Sequence, residues 1–229
     1  MEPKSIIHYY LIHGIDAARK DRMLNEFSQA GIDNKNVNWI LHPNKNEISH
    51  ELYARCVNQQ HSYSCSIPIR PGSVNLGVTS CSFKHYLALK NIVENNHEYA
   101  VIMEDNMQFF KGINIPERLN LYIAELNTNY PDWDVLFDLN YGKSDHIVEP
   151  NKYVYPKNNA ISHLNHGGTR CAQFYLLRNK CAKLLYENYL PFNNAPDWWM
   201  NDLFRKLNIK SFWADPPAVD IWHHQSTAN

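Results

Sequence analysis

Several features that would classify a sequence at once are missing from this one. The five cysteines, Cys56, Cys65, Cys81, Cys171 and Cys181, contain no CxxC pair, and their odd number leaves at least one thiol unpaired in any disulfide scheme. Reduced thiols are the simpler reading. Asparagine is abundant, yet no Asn begins an N-x-[ST] acceptor site, so nothing points to passage through a glycosylating compartment. Long apolar runs are also lacking: no segment approaches the roughly 18 residues a membrane helix needs, and the opening stretch MEPKSIIHYYLIHG carries two histidines and no small-residue cleavage site. No membrane span, no secretion signal and a cytoplasmic location are therefore expected, in a bacterial cytosol or, for a virus-encoded chain, in the host cytoplasm. The abundance of Asn, Lys, Ile and Tyr suits an AT-rich genome of either kind. Excess charge of one sign is absent, with 22 Lys and Arg against 23 Asp and Glu, and the bases are scattered rather than gathered into a stripe. Such a surface argues against nucleic acid as a partner. There is no internal repeat.

What is present describes a packed globular chain. With 229 residues, 44% of them hydrophobic and 20% charged, one domain with a full core is expected and intrinsic disorder is excluded. Aromatics reach 13%, which suits a sugar-binding cleft or simply an aromatic core.

Along the chain, strand and helix patterns alternate. Ile6 to Ile12 reads as a strand, Asp16 to Ala30 as a helix with Met23, Leu24 and Phe27 on one face, and Val37 to Leu41 as a second strand. A helix is expected around Glu47 to Val57 and irregular chain around Ser62 to Gly72. Asn75 to Asn96 carries the clearest helical periodicity. It runs into Tyr99 to Met103, an apolar stretch without alternation, as expected of a strand covered on both faces. Pro116 opens a helix to about Tyr130, and Trp133 to Leu139 is another buried strand. Gly142 to Asn159 reads as a loop or short hairpin, Cys171 to Leu177 as a strand, Asn179 to Tyr189 as a helix, Asp197 to Leu207 as a helix and Ile209 to Trp213 as a strand. This alternation predicts a single α/β domain built on a mainly parallel sheet flanked by helices. Ligands of such sheets bind beyond the carboxyl ends of the strands, which directs attention to residues such as Ile12 and His13.

The sharpest feature is the strand that ends in Glu104-Asp105-Asn106. Ionised carboxylates without partners are costly to bury, so acids at a strand end meet solvent, a cation or a ligand. Oxygen donors there match the hard cations Mg²⁺ and Mn²⁺ that accompany nucleoside diphosphates. An acidic, solvated turn is the plain alternative.

The cluster resembles the Glu-Asp-Asp motif of glycosyltransferase family 25, the lipooligosaccharide and collagen galactosyltransferase group. The resemblance extends, in order, over most of the chain. It includes the Tyr9 to Ile12 strand with Asp21-Arg22 after it, Gly77-Val-Thr-Ser-Cys-Ser82, Ile102-Met-Glu-Asp-Asn106 and Trp133-Asp-Val-Leu-Phe137. It continues through Gly168 to Leu177, Ala182-Lys-Leu-Leu185, Pro196-Asp197, and Pro217 with Gln225-Ser226-Thr227. Two departures stand out. Asn106 replaces the third acid, and the family's Ser-His pair appears as Cys81-Ser82 with His85 three residues on.

That resemblance implies a GT-A type, Rossmann-like fold, with residues 1–110 as the nucleotide-binding half and 111–229 as the acceptor side. It implies a hexosyltransferase that moves a sugar from a nucleotide-sugar donor, a UDP-sugar first, to a hydroxyl of a glycan or glycoconjugate such as a lipopolysaccharide, with inversion. Glu104 and Asn106 would face the ribose and metal-diphosphate, with Asp105 as an alternative ligand and Gly77 beside the donor. An amide at position 106 brings no charge, which weakens the case for a divalent cation, Mn²⁺ or Mg²⁺. His223 or His224 is a further candidate ligand or an exposed terminal residue. Asp197 is the expected base and Asp202 the reserve, with helix capping as the alternative role of Asp197. Trp198 and Trp199 would stack on a sugar or pack in the core. Arg22 would pair with a phosphate or the base edge, or be a solvated helix residue. Asp134 and Asp138 would face the cleft or form salt bridges, and His163 and His166 beside Gly167-Gly168 would sit in an acceptor loop. Two rival readings exist. One is a non-catalytic nucleotide-sugar or carbohydrate-binding relative. The other is a sugar-nucleotidyltransferase, opposed by the lack of a Gly-rich phosphate loop with a following basic residue near the amino terminus.

Overall fold

A computed structural model describes residues 5–58, 74–139, 153–154, 161–164, 172–214 and 216–222, with the backbone alone for 153–154 and 161–164. Ser62 to Gly72, His166 to Gly168, His223, His224 and Gln225 to Thr227 lie outside the described residues.

The chain begins β1 (Ile7–Ile12), α1 (Ala17–Gln29), β2 (Val37–Ile40), α2 (His50–Cys56), α3 (Leu76–Glu94), β3 (Tyr99–Glu104), β4 (Met107–Phe109), α4 (Ile115–Asn129) and β5 (Val135–Phe137). It continues β6 (Tyr153–Val154), β7 (Ile161–Leu164), β8 (Phe174–Arg178), α5 (Asn179–Asn188), α6 (Pro196–Leu207), β9 (Ser211–Ala214) and β10 (Val219–Ile221). Local chemistry sets the helix starts. Asp16, Ser49, Asn75 and Asn114 each accept a hydrogen bond from a backbone N–H in the first turn of the helix they precede. The helix expected from Glu47 divides instead. Asn44 N–H donates to the Glu47 carboxylate at 2.7 Å, closing a short 3₁₀ turn before α2 starts afresh at Ser49.

The main sheet has the order β2-β1-β3-β8-β5-β9-β7-β6. Across its first six strands, β2, β1, β3, β5 and β9 run one way and β8 alone is reversed, giving a mixed, mainly parallel sheet. The chain has already turned round before β8, since β7 runs antiparallel to β9 just as β8 runs antiparallel to β5. The β6–β7 hairpin extends the sheet antiparallel to β9, so His163 stands in a strand, opposite Phe212, and not in the loop expected for it. A second sheet pairs β4 with β10. These three-residue strands carry no readable periodicity and were not expected from the sequence.

One hydrophobic core spans the chain. From the strands it takes Tyr10, Leu11, Val101, Ile102, Leu136 and Leu176, and from the helices Phe27, Leu89, Tyr122 and Leu185, all essentially inaccessible. α3 packs against α2, α5 and α6 and against the β1–β3 part of the sheet. The chain passes from β1 outward to β2 and then back across to β3. The strand order therefore reverses between β1 and β3, and a crevice opens beyond their carboxyl ends. No described helix is long and apolar enough to cross a membrane.

Candidate active site

The parallel register sets Ile12 opposite Glu104, so the residues that follow, His13 and Asp105, leave adjacent strands side by side. Asp105 N–H still donates to Ile12 O at 3.1 Å, which holds the two strand ends together. Beyond them is a cavity of about 380 Å³, lined by Ile12, His13, Gly14, Asp16 and Arg19 from the β1–α1 segment and by Asn44, Lys45 and Asn46 after β2. α3 contributes Gly77, Ser80, Cys81 and Lys84 to its wall, and the end of β3 contributes Glu104, Asp105 and Asn106.

The three motif residues occupy different environments. Asp105 is buried, and both of its oxygens are taken: Oδ2 accepts from His13 Nδ1 at 2.8 Å and from Gly14 N–H at 3.2 Å, and Oδ1 accepts from Arg19 at 3.0 Å. Burial alone would raise its pKa. The hydrogen bonds from His13 and Gly14, with the charges of Arg19 and His13, outweigh burial and hold the carboxyl below its ordinary value. Glu104 turns the other way, toward α3, where its Oε1 lies 3.1 Å from His85 Nε2 and accepts from the Cys81 thiol at 3.8 Å. Asn106 is half-buried, and its side-chain oxygen has no hydrogen-bond partner among the described residues.

Arg22 is neither solvated nor in the cavity wall. Its guanidinium donates to Met107 O at 2.9 Å and to Asp105 O, and stacks on Trp222 at 4.2 Å. It thus clamps the turn after the motif onto the β4–β10 ribbon, and Trp222 N–H donates to Asn106 O at 2.7 Å. His223 and His224 follow directly in the chain.

Lys84 was not singled out in the sequence and proves central. It is buried, and its amine donates to His13 O at 2.8 Å and Asn44 Oδ1 at 3.0 Å, joining α3 to the loops after β1 and β2. Burial lowers its pKa. Two of its three N–H donors are thereby accounted for, on a residue that faces the cavity. A lysine on a long helix looks like ordinary surface charge in sequence. Only the helix rotation relative to β1 turns it inward. His85 is fully buried, its Nδ1 lying 2.8 Å from the Tyr175 hydroxyl. Its signal was the four-residue spacing from Cys81, which sets both on one helix face.

Asp197 stands in the first turn of α6, two residues after the cap position at Ala195, so it is a first-turn acid at the helix start and not the N-cap itself. Its Oδ1 accepts from Trp198 N–H at 2.9 Å, and its charge reaches Cys81 and Tyr189, but it is not among the residues that line the cavity. Asp202, further along α6, is ion-paired with Arg205. Trp199 is a structural residue that donates from Nε1 to Tyr189 O at 2.7 Å, and Trp198 is half-buried. Asp134 forms a salt bridge to Lys180 at 2.9 Å. Asp138 is buried, accepting from Ala218 N–H at 2.5 Å, and burial pushes its pKa up to about 7.

Residues 8–200 match the family model described as glycosyltransferase family 25 (LPS biosynthesis protein). The chain belongs to glycosyltransferase family 25. No curated protein sequence matches this family 25 chain significantly. Among solved structures it is similar to a glycosyltransferase involved in glycosylation of the major capsid of PBCV-1, at 10% identity and a TM-score of 0.45, over 96% of this chain and 94% of that one. It is also similar to CMP:2-keto-3-deoxy-manno-octonic acid synthetase complexed with CTP, at 10% identity and a TM-score of 0.44, over 91% and 89% of the two chains.

Proposed function

We propose that this family 25 protein is a GT-A type enzyme that transfers a sugar from a nucleotide-sugar donor, a UDP-sugar first, to a hydroxyl of a glycan or glycoconjugate, with inversion. The observation that carries the reading is the cavity at the strand-order reversal, where buried Lys84, the amino-terminal turn of α3 at Gly77 and the Glu104 to Asn106 motif meet. Helix amino termini and lysine amines favour phosphate oxygens, and the motif faces the same space.

In this mechanism Lys84 and the α3 amino terminus receive the diphosphate, and Ile12 and His13 border the nucleoside. Asp105 acts as a buttress, since its oxygens already serve His13, Gly14 and Arg19. The donor set fits a divalent cation in part, because the buried Asn106 oxygen lacks a partner among the described residues and Glu104 borders the cavity. Glu104 and Asn106, with His223 or His224 as a further ligand, would hold Mn²⁺ or Mg²⁺, which would supply positive charge for the departing diphosphate. Asp197 takes the acceptor hydroxyl proton as its oxygen attacks the anomeric carbon. Asp202 is the weaker choice because Arg205 already holds it.

Calorimetric titration with UDP- and GDP-sugars, with and without Mn²⁺, followed by assay of donor hydrolysis, tests the reading. Binding of one nucleotide class with slow hydrolysis, lost in Glu104→Ala, is the expected result. Silence across the panel removes it. The engagement of Asp105 by its neighbours, together with an amide at position 106, favours a second reading as a non-catalytic donor-binding relative, and binding without any turnover would select that one.

A further inference from the structure

The donor reading uses Glu104 from the cavity side and leaves unexplained what the same carboxylate meets inside the protein. Cys81 and His85 are one helical turn apart on α3, and the end of β3 brings Glu104 against them. The Cys81 Sγ, a His85 ring nitrogen and a Glu104 carboxylate oxygen all lie within 4.8 Å of one another. Tetrahedral zinc, with bonds of about 2.0 to 2.3 Å, sets its ligands roughly 3.3 to 3.6 Å apart. The observed 3.1 Å between Glu104 and His85 and 3.8 Å between Glu104 and Cys81 bracket that spacing.

We propose that Cys81, His85 and Glu104 form a three-ligand site for one zinc-class cation in the wall of the cavity, with the fourth position open to an oxygen ligand. The donor set decides the class of metal. Thiolate with imidazole and carboxylate suits a borderline-soft ion such as Zn²⁺, whereas Mg²⁺ and Mn²⁺ prefer oxygen throughout. On ligation the Cys81 thiol gives up its proton to solvent, and His85 binds through Nε2.

The surroundings supply what such a site requires. A ligating histidine donates its other ring N–H to a fixed acceptor, and the Tyr175 hydroxyl, on a fully buried residue, stands 2.8 Å from His85 Nδ1 to receive it. Tyr189 is also fully buried, its hydroxyl has no partner among the described residues, and it lies within electrostatic reach of Cys81 and Glu104. The site does not depend on the nucleotide-sugar reading.

The test uses the full-length protein, stripped with a chelator and titrated with Co²⁺ without nucleotide, so failure of the donor reading leaves it untouched. One equivalent of cobalt should bind with a thiolate-to-cobalt charge-transfer band and the intense visible bands of tetrahedral coordination, and Zn²⁺ should displace it. Cys81→Ser should abolish the charge-transfer band and weaken zinc binding by more than the roughly 10-fold expected of Tyr175→Phe. A wild-type protein without the band, a band that persists in Cys81→Ser, or Mn²⁺ displacing the thiolate-bound cobalt as readily as Zn²⁺ would each overturn the site. Should Cys81→Ser fail to fold, alkylation of wild-type Cys81 decides: zinc must protect it from iodoacetamide, and equal labelling with and without zinc refutes the proposal.

Discussion

His13 and Asp105 leave the carboxyl ends of neighbouring strands, and His13 Nδ1 donates to Asp105 Oδ2 at 2.8 Å. This bond, with Arg19 on the other oxygen, makes the middle acid of the motif part of the scaffold. Asp105→Asn leaves Arg19 facing a neutral group in a largely buried setting, and a loss of about 3 kcal/mol in unfolding free energy is expected. Urea denaturation measures it. A loss below the error of the method would return Asp105 to the list of free ligands. Because the folded carboxyl lies below its ordinary value, its contribution is present above the unfolded pKa and disappears as pH falls through the folded one.

The proposed mechanism gives the proton transfer to Asp197. Asp197→Asn should slow transfer by about 100-fold or more while leaving donor affinity unchanged, since the amide keeps the size and loses the basicity. Single-turnover transfer and donor titration separate the two effects. Unaltered turnover would move the role to Asp202.

Asp138 predicts the opposite pH trend to Asp105. Burial raises its folded pKa from 3.8 to about 7. Its favourable contribution is therefore complete below the unfolded value and is lost as pH rises through about 7. The full penalty for ionising it amounts to at most about 4 kcal/mol. Asp138→Asn should match the parent at pH near 3 and exceed it in stability near pH 8, which urea midpoints at the two values will reveal.

At the amino-terminal ends of β1 and β3, the rings of His8 and His97 stack 3.4 Å apart, and the Tyr10 hydroxyl is 2.8 Å from His97 Nδ1. Burial lowers both imidazole pKa values from 6.5, and His8 lowers that of His97 further. Depressed folded values mean that this stabilisation is present above 6.5 and fades as pH drops below it. The urea midpoint should decline on acidification below that point, and His97→Gln should flatten the decline. A parallel decline in the variant would clear the pair of the effect.

How much of this was legible beforehand varies by element. α1, α3, α4, α5 and α6 begin within a residue or two of their expected starts, because caps such as Asp16 and Asn75 and the prolines Pro116 and Pro196 act locally. β3 and β5 were visible because strands buried on both faces are apolar throughout. The β4–β10 ribbon was not, since three-residue strands depend on a partner far along the chain. The same holds for the reversed direction of β8.

At the site, the amino-acid sequence alone determined that acids terminate a buried strand and that the order of short motifs matches family 25. It could not say that Asp105 would be consumed by His13, Gly14 and Arg19, that Arg22 would clamp a backbone turn, or that Lys84 and His85 would point inward beside Glu104. Those outcomes come from the register of β1 on β3 and the rotation of α3 over them. Hydrophobic pattern and capping follow from neighbours in sequence, whereas a polar side chain's role depends on which distant group the packed fold brings within hydrogen-bond reach.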